Sequence, residues 1–382
     1  MKKICFITTI SATLKAFVVE TAEYLHRNGD YDITFICDTD EDFINTLPDY
    51  INYIPVSMKR GISLSGINAT FKMITIFKKE KFDMVQYSTP NASFYASIAA
   101  ILVGVPVRLY CQCGLVYVSF SGFKRKCFKI IEKVTCSCST WIEPVSFSNL
   151  RFSHAEGLYT KNKSSVLWNG SSSGVNLQKF DIKYKEDWRK EIRSKYGIKE
   201  NSYVMGFVGR ITRDKGVNEL YATCKKFFQE QSNSVLLLIG VKEEIETIDQ
   251  ELFNWSLNEN RIIYCGWTNE VEKYFSAMDV FILPSYREGF GSVVIEAEAM
   301  GVPVIVTDIP GPTDAMVNGQ TGLLVNKADV NSLINAIKIL YKQQDLAQRM
   351  SREAYFFASN NFDSEQLNQH ILEARNKLLK GC

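Results

Sequence analysis

Two short segments carry the residues whose types and spacing suit chemistry on a phosphorylated sugar. The first runs Leu283-Pro284-Ser285-Tyr286-Arg287-Glu288-Gly289-Phe290-Gly291-Ser292 and on through Glu296 to Gly301. An apolar strand ending at Pro284, a glycine-containing loop and a helix start near Ser292 would present free backbone N–H groups to an anion. Glu288 on the loop and Glu296 one turn inside the helix are pure acceptors, suited to the vicinal hydroxyls of a ribose or a hexose. The second segment, Gly206-Phe207-Val208-Gly209-Arg210-Ile211-Thr212-Arg213-Asp214-Lys215-Gly216, is again strand, loop and helix start. Here Arg210 can fork onto a diphosphate, Lys215 adds a point charge, and Gly209 lets the backbone approach. Together they would stabilise a nucleoside-diphosphate leaving group. Either segment alone is more often an ordinary surface loop; the weight comes from both following strands of one expected sheet.

Other constellations fall away. His26, His154 and His370 lie far apart on helix-like segments and form neither a triad nor a metal set. Cys111/Cys113 and Cys136/Cys138 have one-residue spacing, which does not match a zinc knuckle. No G-x-G-x-x-G follows the first strand, which argues against a dinucleotide oxidoreductase. Ten scattered cysteines, several inside apolar runs, suggest a reducing compartment.

The elements that must position these residues alternate as in βαβ units. Strands are expected at Ile4–Thr8, Ile33–Cys37, Met84–Tyr87, Val107–Cys111 and Ile142–Val145, and again at Tyr203–Val208, Val235–Ile239, Arg261–Tyr264, Val280–Leu283 and Val304–Thr307. The pattern restarts after Asn169-Gly170-Ser171-Ser172-Ser173-Gly174, a stretch with linker composition. At 382 residues, with 46% hydrophobic and 23% charged, two globular α/β domains are expected. Residues 1–180 carry net charge +6 and residues 181–382 carry −4. The excess concentrates in Met58–Lys81 and Gly122–Val134, which mix lysines with Phe, Ile and Met and suggest peripheral contact with an anionic membrane. No apolar run reaches spanning length, so a cytoplasmic protein is expected, with some of it at the inner face of the membrane. Nucleic acid is not an expected partner.

The chain resembles the retaining glycosyltransferases of family 4, most strongly over Val204–Val325. The resemblance rests on Phe207-Val208-Gly209-Arg210…Lys215-Gly216, Asp279-Val280-Phe281-Ile282-Leu283-Pro284-Ser285, the Glu288/Glu296 pair, Gly301-Val302-Pro303-Val304-Ile305 and Asn169-Gly170…Gly174-Val175-Asn176…Phe180. It implies the GT-B fold, two facing Rossmann-like αβα domains with a cleft between them. Residues 1–170 would bind the acceptor, residues 171–360 the nucleotide sugar, and a helix over 361–382 would pack back on the first domain. It further implies that Arg210 and Lys215 bind the donor diphosphate, Glu296 the ribose, and Glu288 the transferred sugar beside Gly289 and the amides of Phe290 and Gly291. Trp267 and Thr268 would line the nucleobase. The donor is expected to be a nucleotide diphosphate sugar, taken as uridine-linked. The acceptor would be a saccharide or lipid-linked saccharide in cell-surface polysaccharide synthesis, with no cofactor and no bound metal. An epimerase of the same fold acting on a nucleotide sugar is the alternative.

The N-terminal half departs from the family pattern. Thr8-Thr9-Ile10-Ser11-Ala12-Thr13 stands where a glycine pair is common, and the histidine many members carry near Cys111-Gln112-Cys113-Gly114 is absent. Thr9, Ser11 and Gln112 are the acceptor-side candidates. Asp38-Thr39-Asp40 matches the metal-binding triplet of a different glycosyltransferase fold, but flanked by Glu41 and Asp42 it reads better as a solvated acidic turn.

Overall fold

A computed structural model describes residues 1–58 and 64–381; Lys59 and Arg60 of the first basic stretch lie outside the described residues. The chain forms two units, 1–173 joined by 365–382, and 174–364, so it passes between them twice. The sequence boundaries drawn at 170/171 and 360/361 compare with passages at Ser173/Gly174 and Ser364/Glu365.

The first unit holds a six-stranded sheet of β1 (Lys2–Ile7), β2 (Tyr31–Cys37), β3 (Ile51–Pro55), β4 (Met84–Tyr87), β5 (Val107–Gln112) and β6 (Trp141–Pro144), ordered β3-β2-β1-β4-β5-β6. All its pairings are parallel. Parallel strands are buried on both faces, which is why they read as continuous apolar runs rather than alternating ones. One face packs Cys5, Ile7, Val85 and Tyr87 against three helices, Leu64–Glu80, Pro90–Val103 and Gly122–Cys138. The other packs Ile4, Phe6, Ile33 and Phe35 with Leu25 of the helix Val19–Gly29 and with Leu367 and Ile371 of the last helix, Ser364–Lys380.

That last helix is fastened by polar contacts as well. Arg375 is 1% exposed and forks onto Glu143 at 2.7 and 2.8 Å. Thr21 donates to Asn368 at 2.7 Å, and the Lys2 ammonium donates to the Leu379 carbonyl.

The second unit repeats the plan with β7 (Tyr203–Val208), β8 (Ser234–Ile239), β9 (Ile262–Gly266), β10 (Val280–Leu283), β11 (Val304–Thr307) and β12 (Gly322–Val325), ordered β12-β11-β10-β7-β8-β9. Counted from its own first strand, each sheet has the order 3-2-1-4-5-6 of a doubly wound fold. The order reverses between β1 and β4 in one sheet and between β7 and β10 in the other. Ligands of such sheets bind beyond the strand C-termini at that reversal. The strands not expected from sequence, β3 and β12, are each an edge of a sheet.

Candidate functional site

In the second unit, β7 and β10 deliver the two chemical segments side by side at the sheet reversal. Their loops touch through backbone: a Cβ on Gly216, which has φ +74°, would lie 1.9 Å from the Pro284 carbonyl oxygen. Only glycine fits there. The Tyr286 amide donates to the Asp214 carbonyl at 2.8 Å, and the Arg287 guanidinium meets the Asp214 carboxylate at 3.0 Å. Lys215 Nζ donates to Glu288 Oε1 at 2.6 Å, and the Ser285 hydroxyl donates to the same oxygen at 2.7 Å. Two of the expected ligands of the reacting groups thus hold each other.

The loop then turns into the helix Ser292–Ala299 through Gly291, at φ +91°, with no side chain capping the helix. The Val294 amide donates to the Gly291 carbonyl at 2.8 Å, which leaves the amides of Ser292 and Val293 as the ones at the helix start suited to an anion. The Phe290 side chain is buried and packs edge-on to Phe362, centroids 5.3 Å apart, which anchors the loop. Gly311 supports Gly289 from behind, since a Cβ there would come within 3.0 Å of the Glu288 and Gly289 carbonyl oxygens.

Inside the helix, Glu296 is half-buried, and loss of solvent pushes its carboxyl up to about 7; Lys179 pulls it down and Glu272 pushes it further up. Lys179 Nζ lies 3.6 Å from Glu272 Oε2, so one lysine serves two neighbouring carboxylates. Glu298 is fully buried with neither carboxyl oxygen in a hydrogen bond of ordinary geometry; burial pushes its carboxyl well above the usual range, and the nearby Thr321 hydroxyl pulls it back in part. Sequence spacing singled out Glu288 and Glu296 but gave no signal for Lys179, Glu272 or Arg287.

Arg210 leaves β7 just past Gly209, and its Nη1 donates to Glu243 Oε2 at 3.0 Å. Glu243 lies on the loop after β8 and belongs to no motif. Trp267 directly follows β9 and is 68% exposed, an apolar ring on the same end of the sheet as Arg210. The Thr268 hydroxyl accepts from the Glu270 amide at 3.0 Å, which shapes that turn.

In the first unit, Thr9 follows β1 and Thr89 follows β4, again at the sheet reversal; the Thr9 amide donates to the Thr89 hydroxyl at 2.8 Å, and the two hydroxyls lie 2.7 Å apart. The Ser11 hydroxyl donates to Asp40, which also accepts from the Phe43 amide at 3.0 Å and caps the helix Glu41–Ile44. Asp40 is therefore a cap paired with Ser11 and, at 3.7 Å, with Lys15. Gln112 is fully buried: its amide donates to Glu132 at 2.6 Å and accepts from Ser153 at 3.0 Å and Tyr159 at 2.9 Å. All of its hydrogen bonds described here are internal, so it holds Glu132 in place. Burial pushes the Glu132 carboxyl up to about 7 while Gln112 and Tyr110 pull it back.

Residues 189–356 match the family described as Glycosyl transferases group 1. The chain is 32% identical over 326 residues to the capsular polysaccharide biosynthesis glycosyltransferase CapM of Staphylococcus aureus, covering 85% of each chain. It is 30% identical to an Escherichia coli enzyme named UDP-Gal:alpha-D-GlcNAc-diphosphoundecaprenol alpha-1,3-galactosyltransferase, over 81% of this chain and 80% of that one. The chain belongs to the group 1 glycosyltransferases. A glycosyltransferase structure from Rickettsia africae superposes with a TM-score of 0.81 at 20% identity, covering 100% of this chain and 99% of that one, which establishes the shared fold, GT-B. In this glycosyltransferase the matched family segment spans β7 to β12 and contains every donor-side candidate from Gly209 to Glu296. Among the described residues no helix is long and apolar enough to cross a membrane.

Proposed function

We propose that this glycosyltransferase moves a sugar, with retention as in family 4, from a uridine diphosphate sugar to a lipid-linked saccharide during cell-surface polysaccharide synthesis. The observation that carries this reading is the convergence of Arg210, Lys215, Glu288 and an uncapped helix start at the β7/β10 reversal. Arg210, Lys215 and the helix N–H groups neutralise the diphosphate as it leaves, which lowers the barrier without a bound metal. Glu288, oriented by Lys215 and Ser285, faces the sugar being transferred; Glu296 takes the ribose diol, and Trp267 and Thr268 flank the base. A uridine donor and a diphospho-polyprenol acceptor are supported by the wording of the Escherichia coli relative's name, and the polysaccharide context by that of CapM.

A lipid-linked acceptor also fits peripheral contact with an anionic membrane on the cytoplasmic side. The helices Leu64–Glu80 and Gly122–Cys138 supply lysines beside exposed Phe71, Phe123 and Ile130.

The test is a panel of nucleotide sugars assayed against extracted polyprenol-linked saccharides, with mass spectrometry and anomeric assignment by NMR. A product retaining the donor anomer, formed in the presence of EDTA, supports the reading. An inverted product refutes retention, and activity lost to EDTA and restored by manganese refutes metal independence. A free sugar-nucleotide epimer released without acceptor would favour the epimerase.

A further inference from the structure

The diphosphate end of the donor site already has an anion in it. Arg210 Nη1 donates to Glu243 Oε2 at 3.0 Å, and Glu243 comes from a third loop, beyond β8, that carries none of the expected ligands. The contact is built by backbone rather than by chance meeting of long side chains. The Ile211 amide donates to the Val241 carbonyl at 2.8 Å, and the Glu243 amide donates back to the Ile211 carbonyl at 3.3 Å, in the manner of parallel strands. Gly240 has φ +139°, and a Cβ there would lie 2.0 Å from the Gly209 carbonyl oxygen, so the loops before Arg210 and before Glu243 touch main chain to main chain. On the Glu243 loop itself, Lys242 Nζ stands 3.9 Å from the Tyr264 ring centroid. The Tyr264 hydroxyl is in turn bonded to Ser256 at 2.6 Å and Tyr221 at 2.9 Å.

We propose that Glu243 is a placeholder for the donor's diphosphate: it keeps the Arg210 guanidinium oriented between turnovers and yields it when a diphosphate arrives. This rests on the reading of Arg210 as a diphosphate ligand. The energetics suit an exchange. Both partners of the pair are partly exposed, and such pairs contribute little net stability because water screens them. A diphosphate can take both prongs of the guanidinium fork, and with more charge, where Glu243 takes one. Glu243 therefore competes with bound nucleotide, weakening it modestly, and takes Arg210 back as the nucleotide product leaves. A fixed competing anion costs affinity for the product and for the donor alike, so its advantage lies in turnover, where slow product release otherwise sets the rate.

Titration calorimetry with UDP and with uridine on the wild type, Glu243→Gln, Arg210→Ala and the double variant tests this. Glu243→Gln is expected to tighten UDP by roughly two- to fivefold, the range of an exposed ion pair, and to leave uridine unchanged. In the Arg210→Ala background the same change should have no effect on UDP. Stopped-flow displacement should show UDP leaving Glu243→Gln more slowly by the same factor. UDP affinity that falls or stays constant in Glu243→Gln, while Arg210→Ala weakens UDP, overturns the placeholder role and leaves the donor site standing. UDP binding that is indifferent to Arg210→Ala overturns the reading of Arg210, and the placeholder with it.

Discussion

Lys215 and Glu288 meet at 2.6 Å with side chains 19% and 12% exposed, so neither is free to act without the other. Arg210 is tied to Glu243 instead. Arg210→Ala should therefore chiefly weaken UDP, by roughly ten- to a hundredfold for a lost charge-assisted bond. Lys215→Ala should do the same and also lower kcat, because Glu288 loses its orienting partner. Lys215→Ala and Glu288→Gln should be clearly non-additive in kcat when combined, as expected of residues in direct contact. Steady-state kinetics of the four variants, with circular dichroism to check folding, would decide this; additive losses in kcat would mean that the pair only holds the loops together.

Loss of solvent pushes the Glu296 carboxyl up to about 7, close to neutral pH. If the ribose diol donates to the ionised carboxylate, affinity requires the proton to be off, so binding should weaken as pH falls below 7. Uridine isolates this, since it has the ribose and no phosphate to titrate. Its affinity should fall between pH 7.5 and pH 5.5, approaching tenfold per unit at the acid end for one linked proton. Glu296→Gln should bind more weakly at pH 7.5 and show a flat profile by NMR titration. A wild-type profile that is equally flat would remove Glu296 from ribose recognition.

Glu298, two residues further, carries a cost instead. Its folded carboxyl lies well above the unfolded value of about 4.5, so the folded state binds the extra proton and stability falls as pH rises past that value. Replacing it by Met should stabilise the second unit, the more so at pH 8 than at pH 5. An unsatisfied buried polar group costs about 1–3 kcal/mol, and on the order of 2–4 °C in Tm accompanies each kcal/mol in a domain of this size. Calorimetry that finds Glu298→Met less stable at both pH values would point to a partner for this carboxyl.

At the scale of elements, ten of the twelve strands among the described residues stand out in the sequence: eight are central and apolar on both faces, and two, β6 and β9, are edges. The other two are also edges: β3 has one buried residue in five, and β12 opens on a glycine with its two middle residues only half-buried. Neither gives a run long or apolar enough to separate from loop. The two segments that meet at the β7/β10 reversal were legible for a related reason, since glycines and charges at strand ends have few structural excuses. Glu243 and Lys179 were not, because what selects them is contact across loops far apart in sequence.

The basic stretches show the same division. Sequence counted Arg125 and Lys129 with the membrane-facing cations, but both are drawn to Glu156, at 3.1 and 2.8 Å. The remaining outward set on the helix Gly122–Cys138 is Phe123, Lys124, Lys126, Ile130 and Lys133. The one acid of that helix, Glu132, is bonded to Gln112 and Tyr110. Glu80, the one acid of the helix Leu64–Glu80, pairs with Lys3 at 3.5 Å. The helix Pro90–Val103 packs against both and adds exposed Leu102 without any charge. Each lysine near an anionic surface is worth about 1 kcal/mol, so reversing Lys124, Lys126 and Lys133 to Glu should weaken binding to phosphatidylglycerol vesicles by more than about a hundredfold. Binding to neutral vesicles should be weak throughout. Co-sedimentation unchanged by the triple reversal, or insensitive to salt, would count against a membrane face here.

For the molecule as a whole, the last helix returns the chain to the first unit, and Arg375 is what makes the return specific. Its guanidinium is 1% exposed, forks onto Glu143 at the end of β6 and reaches Gln86 on β4 at 3.2 Å, so it ties the helix to two strands at once. A buried pair of this kind adds little over a well-packed apolar substitute, yet removing one partner strands the other charge and costs about 3–5 kcal/mol. Arg375→Ala should therefore lower the first unit's stability by that order and expose the last helix to trypsin at Lys377. The double change Arg375→Met with Glu143→Leu should recover most of the loss, since Leu367, Ile371 and Leu379 still bury the helix in the same core. Calorimetry with limited proteolysis on the wild type and the two variants distinguishes the cases. If Arg375→Ala melts like the wild type, the apolar face alone holds the helix; if the double variant is as unstable as the single one, the ion pair supplies net stability rather than specificity.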